Sequence, residues 1–423
     1  MKIIQVLTMD RGGAARAALR LQEGLEGRGV DSKVLVARKR SRLESVYEWE
    51  GPMDARSRLA RRGREEWLSR TMRRRLRGRR PGLGFFSDDR SRFGEQLLPD
   101  LEEADLIHLH WIARFVDLPA VFSKLKRPVV WTLHDQFPLT GGCHVDEGCD
   151  RWRVGCGECP QISISHRDDF SAKSWRRKKK SIENFQSELV PVAPSGLFLE
   201  MAKKSPLFEG LPIKMIPHGL PINIYKPTKS DSLKVSFGVE KDGYLILFVA
   251  DKVSDPNKGF RLLVEALEGF SMSFREKITL LSVGKNSPTK RLGVKHIGLG
   301  EIKNENLLAA IYSSSDIFVA STFRESFGNT VLESLACGTP VVGSHTGGIP
   351  DMVRPGETGW LFETGNPEAL RATLQEALAT RDLTGLRTRC RDVAEREYSL
   401  ELQAERYSKL YLELLRQGRE STT

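Results

Sequence analysis

Two glutamates stand where a loop runs into a helix. In STFRESFGNTVLESLACGTPVVGSHTGGIPDMV (321–353), a strand delivers a loop carrying Glu325, Phe327-Gly328 turns the chain, and a helix starts near Asn329 with Glu333 about one turn in. Ionised carboxylates accept hydrogen bonds from hydroxyls, so the pair could hold two hydroxyl-bearing parts of one ligand. The open N–H groups of a helix start, at the carboxyl ends of parallel strands, receive phosphate. A surface Glu beside an ordinary helix Glu is the plain alternative. The Gly328-Asn329 turn, the Cys-Gly-Thr-Pro-Val-Val exit and the second glycine turn, Gly347-Gly348, favour a ligand site.

Cations and a histidine add to this set. ADKVSDPNKGF (250–260) offers Lys258 just before a glycine and Lys252 at the strand end, both able to meet an anion as point charges, or merely to be solvated. WTLHDQFPLTGGCH (131–144) puts His134 at a strand end, where an imidazole can bond a hydroxyl and titrate near neutral pH, with Asp135 beside it. A satisfied half-buried histidine is the alternative. His108 and His110 in LIHLHW are candidates for a supporting or acceptor-side place, or for a structural one. In DRGGAAR (10–16), Gly12 and Gly13 let backbone N–H groups approach an anion at a helix start, or make a plain tight turn.

Four of the six cysteines fall close together as C-x5-C-x6-C-x2-C: Cys143, Cys149, Cys156 and Cys159. Four thiolates so spaced fit a tetrahedral structural zinc site, with disulfides or bare thiols as alternatives. No Asp-x-Asp motif stands at a strand end, so no catalytic metal is expected.

These residues need a scaffold, and the apolar patterning supplies one. KIIQVL (2–7), a glycine turn, a helix over AARAALRLQEGLEGRG and the strand KVLVA (33–37) open the chain as a parallel-sheet unit. ADLIHLHW (104–111), PVVWTLHD (128–135), ELVPVA (188–193) and IKMIP (213–217) continue the strands. PHGLPINIYKPTK (217–229) has linker composition. A second series follows: YLILFVA, GFRLLVEALEGF, KITLLSVG, ENLLAAIYSSS, DIFVAST, NTVLESLACG and PVVGS, strands alternating with helices. An amphipathic helix over about 398–418 closes the chain. The reading is α/β, with two Rossmann-like domains at 1–216 and 217–397 and parallel sheets facing across a cleft; the end, 398–423, is expected to pack back on the first domain.

Composition narrows the class. The chain has 423 residues, 39% hydrophobic and 29% charged, enough for two ordinary cores. The apolar start is too short for a signal peptide, and no run approaches the roughly 18 apolar residues of a membrane span. The chain therefore reads as cytoplasmic, with peripheral membrane contact open. Net charge is +11, and residues 54–80 carry twelve arginines with little periodicity. That stretch reads as a mobile or partly helical surface insert, drawn to anionic lipid or a lipid-diphosphate, or simply solvated. No nucleic-acid recognition module accompanies it, so nucleic acid is not expected as a partner.

Glu325 through Glu333 resembles the E-x7-E signature of retaining glycosyltransferases of the GT-B fold, glycosyltransferase family 4, and the resemblance covers nearly the whole chain. It implies that Glu325 contacts the donor sugar and Glu333 the ribose of a UDP- or GDP-sugar. It implies that the diphosphate lies by Phe327, Gly328 and Asn329, with His134 beside the transferred sugar. Lys258 matches the family's diphosphate lysine, whereas Asp251 stands where the family has Arg, with Lys252 next to it. The run HDQFPLTGGCHVDEGCDRWRVGCGECPQI (134–162) resembles a subgroup of bacterial exopolysaccharide enzymes of colanic acid type. The expected function is hexosyl transfer to a glycan or polyprenyl-diphosphate-linked acceptor in cell-surface polysaccharide synthesis. A nucleotide-sugar epimerase is the rival, with a basic nucleic-acid-binding protein further off.

Overall fold

A computed structural model describes residues 1–52, 54–228, 231–288, 292–380 and 382–420. Lys229, in the linker-like stretch, and 421–423, at the chain end, lie outside the described residues. The chain separates into two compact units: Met1–Ile216 with the chain end from Gln403, and Pro217–Leu402.

The first unit is built on a sheet of seven strands in the order β3-β2-β1-β4-β5-β6-β7. They are β1 Lys2–Met9, β2 Asp31–Arg38, β3 Val46–Glu48, β4 Leu106–Leu109, β5 Val129–Thr132, β6 Leu189–Ala193 and β7 Lys214–Met215. All pairings are parallel. Helices cover both faces, so the central strands are mostly apolar and buried, β4, β5 and β6 along their whole length. Alternation sorts their side chains: Ile4, Val6, Ile107 and Leu109 enter one core cluster, while Ile3, Leu106, Val130 and Val192 enter another. The second cluster is closed by Ala404, Tyr407, Leu410, Tyr411 and Leu414 of the helix Leu400–Glu420.

Of the two readings of 54–80, a mobile insert or a partly helical one, the structure has the helical one. Ala55–Leu76 is one helix of 22 residues, capped by Asp54 accepting from Ser57 N. Leu68 is its buried residue, and Arg64 holds it down through Asp117 Oδ2 (2.6 Å) and Ser91 O (2.7 Å). Arginine thus docks this helix, in place of an apolar stripe.

The second unit has six parallel strands in the order β10-β9-β8-β11-β12-β13. They are β8 Tyr244–Lys252, β9 Ile278–Lys285, β10 Lys295–Gly300, β11 Ile317–Ala320, β12 Val341–Ser344 and β13 Gly359–Phe362. In each sheet the order reverses beside the first strand, at β1/β4 and at β8/β11. At such a reversal the following loops diverge to opposite faces and leave a crevice at the carboxyl ends. Among the described residues, no helix is long and apolar enough to cross a membrane.

Candidate functional site

The second unit brings Lys258 and Glu325 together. Lys258 lies in the turn after β8 and Glu325 in the loop after β11, so the two come from the strands that flank the reversal. Lys258 Nζ donates to Glu325 Oε2 at 2.7 Å. Burial alone would lower the lysine's pKa; the Glu325 carboxylate outweighs it and leaves Lys258 raised, hence charged at neutral pH. Asp255 caps the lysine's turn through Asn257 N (3.0 Å). Asn257 then stitches the two loops together: its Nδ2 donates to Arg324 O (2.9 Å), and its carbonyl accepts from Phe323 N and Thr322 Oγ1, both at 2.8 Å.

Two glycines permit this approach. Gly259 has φ +71°, and a Cβ there would lie 1.9 Å from Ser321 O. Gly347 has φ +61°, and a Cβ there would lie 1.8 Å from Glu325 O. Both positions combine a left-handed conformation with backbone contact, which only glycine meets without strain.

Gly328 precedes the helix Asn329–Ala336 with φ +103°, and no side chain caps that start. Lys258, Glu325, Gly328 and Thr330 share the lining of one small cavity of about 20 Å³. Asn329, half-buried, begins the helix. The other predicted residues stand apart from this group. The Phe327 ring is 1% exposed and packs edge-on to His218 at 4.8 Å, so the core claims its side chain and only its backbone remains for a ligand. Glu333 is wholly buried and accepts from Tyr312 Oη at 3.2 Å. Lys252 is exposed at the end of β8 and does not line the cavity. A wider cavity of this unit, about 1180 Å³, is lined by Gly284, Ser287, Lys295, His296 and Gly300 and holds none of the predicted residues.

In the first unit, Gly12 (φ +99°) caps the helix Gly13–Gly27, and both Gly12 and Gly13 are exposed. Asp10 fixes this loop by accepting from Arg40 N and Ser41 N (2.6–2.9 Å). Burial would raise its pKa, and these backbone donors bring it below the ordinary value instead. His134, half-buried after β5, has Nε2 2.9 Å from His110 Nδ1.

His108 has a structural place. It is fully buried, with Nδ1 2.7 Å from Tyr411 Oη and Nε2 2.7 Å from Thr132 Oγ1, so it holds the last helix to the sheet. Asp135 is likewise an anchor. It accepts from Trp111 Nε1 and His144 Nδ1, each at 2.6 Å, and from Phe137 N at 2.9 Å.

The four cysteines line one cavity with Phe86 and Trp152 and form no disulfide. Cys156 Sγ accepts from Gly141 N at 3.2 Å. Burial raises the Cys156 thiol to about 12 and pushes Cys143 further up, so both remain protonated at neutral pH. Among the described residues, no group of three or more His, Cys, Asp or Glu side chains is placed to hold a metal ion.

Asn257 and Asp10 are functional neighbours that no motif in the sequence singles out. Only the Pro256-Asn257-Lys258-Gly259 turn carried a local signal.

Comparison with known proteins adds to this geometry. Residues 243–380 match the family model for glycosyl transferases group 1. The chain is 31% identical over 185 residues to a D-inositol 3-phosphate glycosyltransferase of Geodermatophilus obscurus, covering 40% of this chain and 41% of that protein. It is 27% identical over 282 residues to a phosphatidyl-myo-inositol mannosyltransferase of Mycobacterium leprae, covering 62% and 69%. The first of these relatives is thus spanned over less than half its length. Among solved structures, sucrose-phosphate synthase from Thermosynechococcus elongatus superposes with a TM-score of 0.70 at 18% identity, covering 98% of this chain and 99% of that one. Anabaena HepE in complex with UDP-glucose superposes with a TM-score of 0.66 at 17% identity, covering 98% and 100%. The fold, two α/β units with parallel sheets of seven and six strands, is that of GT-B glycosyltransferase structures.

Proposed function

We propose that the protein is a retaining glycosyltransferase. It moves a hexosyl unit from a UDP- or GDP-sugar to a glycan or polyprenyl-diphosphate-linked acceptor in bacterial cell-surface polysaccharide synthesis. The observation that carries this reading is the Lys258–Glu325 pair, held by loops from both strands of the β8/β11 reversal beside the uncapped start of the Asn329 helix. The residues of that pair lie within the stretch matching the group 1 model, and one structural neighbour was solved with UDP-glucose.

In this reading, the bond between the sugar's anomeric carbon and the diphosphate oxygen breaks as the acceptor oxygen bonds to the same face. The acceptor proton passes to the departing phosphate. Lys258 and the N–H groups of the helix start stabilise the charge that develops there. This cationic surround is assigned the role a divalent ion would otherwise fill, with Lys252 as a second cation. Glu325 and His134 orient the sugar hydroxyls, and Glu333 is assigned to the ribose, which requires a shift from its buried place. Glycines 12 and 13 are assigned to phosphate or acceptor. The exposed arginines of the Ala55–Leu76 helix, Arg70 and Arg73 among them, suit contact with anionic lipid at the inner membrane face.

The test is Glu325→Ala, assayed with labelled UDP- and GDP-sugars and lipid-linked acceptors. Transfer should fall at least a hundredfold, on the order of 2.7 kcal/mol of lost transition-state stabilisation, with an unchanged circular dichroism spectrum. Full transfer by the variant removes the role. Donor conversion that needs no acceptor would indicate epimerisation instead.

A further inference from the structure

Four rings, Phe85, Trp111, Phe137 and His144, stand together beside the loops that follow β4 and β5, and one of them is turned to water. Phe85 is 65% exposed. A single exposed apolar side chain is ordinary on a protein surface. This one is held from two directions. Its carbonyl accepts from His144 N (3.0 Å), Ser87 N donates to Gly142 O (2.8 Å), and Phe86 forms an antiparallel bridge with Cys143. Gly142 permits that pairing: it has φ +144°, and a Cβ there would lie 2.7 Å from Ser87 O. The Phe85 ring then meets Trp111 at 6.1 Å and His144 at 5.9 Å, both edge-on.

The rings that Phe85 leans on are fixed by one carboxylate. Asp135 Oδ2 accepts from both Trp111 Nε1 and His144 Nδ1, each at 2.6 Å. His144 also has Nε2 2.9 Å from Ser87 Oγ and stacks on Phe137 with centroids 5.0 Å apart. Trp111 is half-buried and packs on the apolar cluster that holds Leu7, Ala15 and Ala18, while its carbonyl accepts from Thr8 N. It comes two residues after β4, and Thr8 lies near the carboxyl end of β1, so the group stands where the strand order of this sheet reverses. That crevice is where open α/β sheets take their ligands.

The chemistry of the group selects its ligand. An aromatic face carries partial negative charge and attracts C–H groups of the opposite sign. A pyranose offers such C–H groups on one face and hydroxyls round its edge. An ionised carboxylate has about four acceptor sites. Trp111, His144 and Phe137 N take three on Asp135, whose side chain is 20% exposed, which leaves a site for a hydroxyl. A protein partner would need roughly 1,200 Å² of buried surface, whereas Phe137 and His144 are buried and only Phe85 of this group stands well out. We propose that Phe85, fixed against Trp111 and His144, is the platform on which a pyranose of the acceptor stacks. That a sugar binds there follows from contacts within the first unit; its being the acceptor rests on the transferase reading.

The experiment is saturation-transfer NMR on the full chain, irradiating aromatic protons, with the methyl β-glycosides of glucose, galactose and N-acetylglucosamine as probes. Each carries axial hydrogens at C1, C3 and C5 on one face. Wild type should pass saturation to those protons in one or more of the probes. Phe85→Ala should weaken binding about tenfold, the loss of one stacked ring, while Phe85→Tyr keeps the ring face and should retain it. In transfer assays, Phe85→Ala should lose about tenfold in kcat/KM for the acceptor, carried by KM, with the donor KM unmoved. No saturation of any probe by wild type, or equal saturation by Phe85→Ala, overturns the platform whether or not the chain transfers sugar. Saturation that Phe85→Ala loses, in a chain whose wild type transfers no sugar, overturns the transferase reading and leaves the platform standing.

Discussion

Lys258 and Glu325 have two competing explanations, and their energies differ enough to separate them. As a plain ion pair with side chains 32% and 20% exposed, they contribute at most about 1 kcal/mol to stability. As the grip on a departing diphosphate, Lys258 is worth far more to the transition state than to the fold. Lys258→Met should therefore lower the thermal midpoint by only a degree or two, yet cut transfer on the order of a hundredfold. Equal losses in both would reduce the pair to a structural link. A second lysine offers a pH signature. Lys178 is wholly buried, with Nζ over the Phe137 ring and donating to the carbonyls of Phe137 and Thr140, and burial lowers it to about 8. Unfolded, it titrates near 10.4, so between those values the unfolded chain holds the extra proton. Stability from this group thus rises as pH goes from about 8 to about 10. Thermal melts across that range should rise more steeply for wild type than for Lys178→Met; parallel curves would refute the shift. Residues such as Lys258 and Glu325 could be picked from the sequence because one stands just before a glycine and the other in the loop that leads into Phe327-Gly328. Asn257, and the approach of Gly347 to Glu325, could not: they depend on loops from different strands meeting, and no local spacing records that meeting.

At the scale of elements, periodicity served where burial decides. β1, β8 and β9 are largely apolar and buried along their length, with Gln5, Thr279 and Ser282 as buried polar exceptions, and they stand where the pattern put them. It failed where polar contacts decide. The helix Ala55–Leu76 has no apolar stripe, being pinned by Asp54, Arg64 and the ring contacts of Trp67 with Arg90 and of Phe170 with Arg75. β10 is KHIGLG, too polar to stand out. His108 shows a polar contact setting the fate of a whole element. Folded, it is held neutral by burial; unfolded, it protonates near pH 6.5. The unfolded chain binds the extra proton below that value, so this contribution is intact above about pH 6.5 and is lost as pH falls beneath it. His108→Gln can still bond Thr132 or Tyr411 but has no proton to gain. Its thermal midpoint should drop less than that of wild type between pH 7 and 5. A wild-type midpoint that does not move over that range would count against the buried neutral imidazole.

At the scale of the molecule, the chain leaves its first unit at Ile216 and returns to it at Gln403. The returning helix brings Ala404, Tyr407, Leu410, Tyr411 and Leu414 onto the sheet face of Ile3, Val130 and Val192, beside Leu21 of the helix Gly13–Gly27. Each large side chain so buried is worth about 1.5–3 kcal/mol. Deleting residues 403–423 would also strand the polar atoms of His108 and Thr132 that Tyr411 and Tyr407 satisfy. Together these losses match the whole stability of an ordinary domain, about 5–15 kcal/mol. The truncated chain should therefore lose the first unit's ordered structure, seen as reduced circular dichroism. The second unit keeps its own core clusters, which contain no residue beyond Tyr398. Its remaining transition carries the donor-binding assignment to the test. A nucleotide sugar that binds residues 217–402 at a hundred times its Kd should stabilise them by about 2.7 kcal/mol, with or without the first unit. Screening UDP- and GDP-sugars against both chains, the correct donor should raise the surviving transition in each. A truncated chain that melts like wild type would refute the role of the last helix. A surviving transition that no such sugar moves would take donor binding away from this unit.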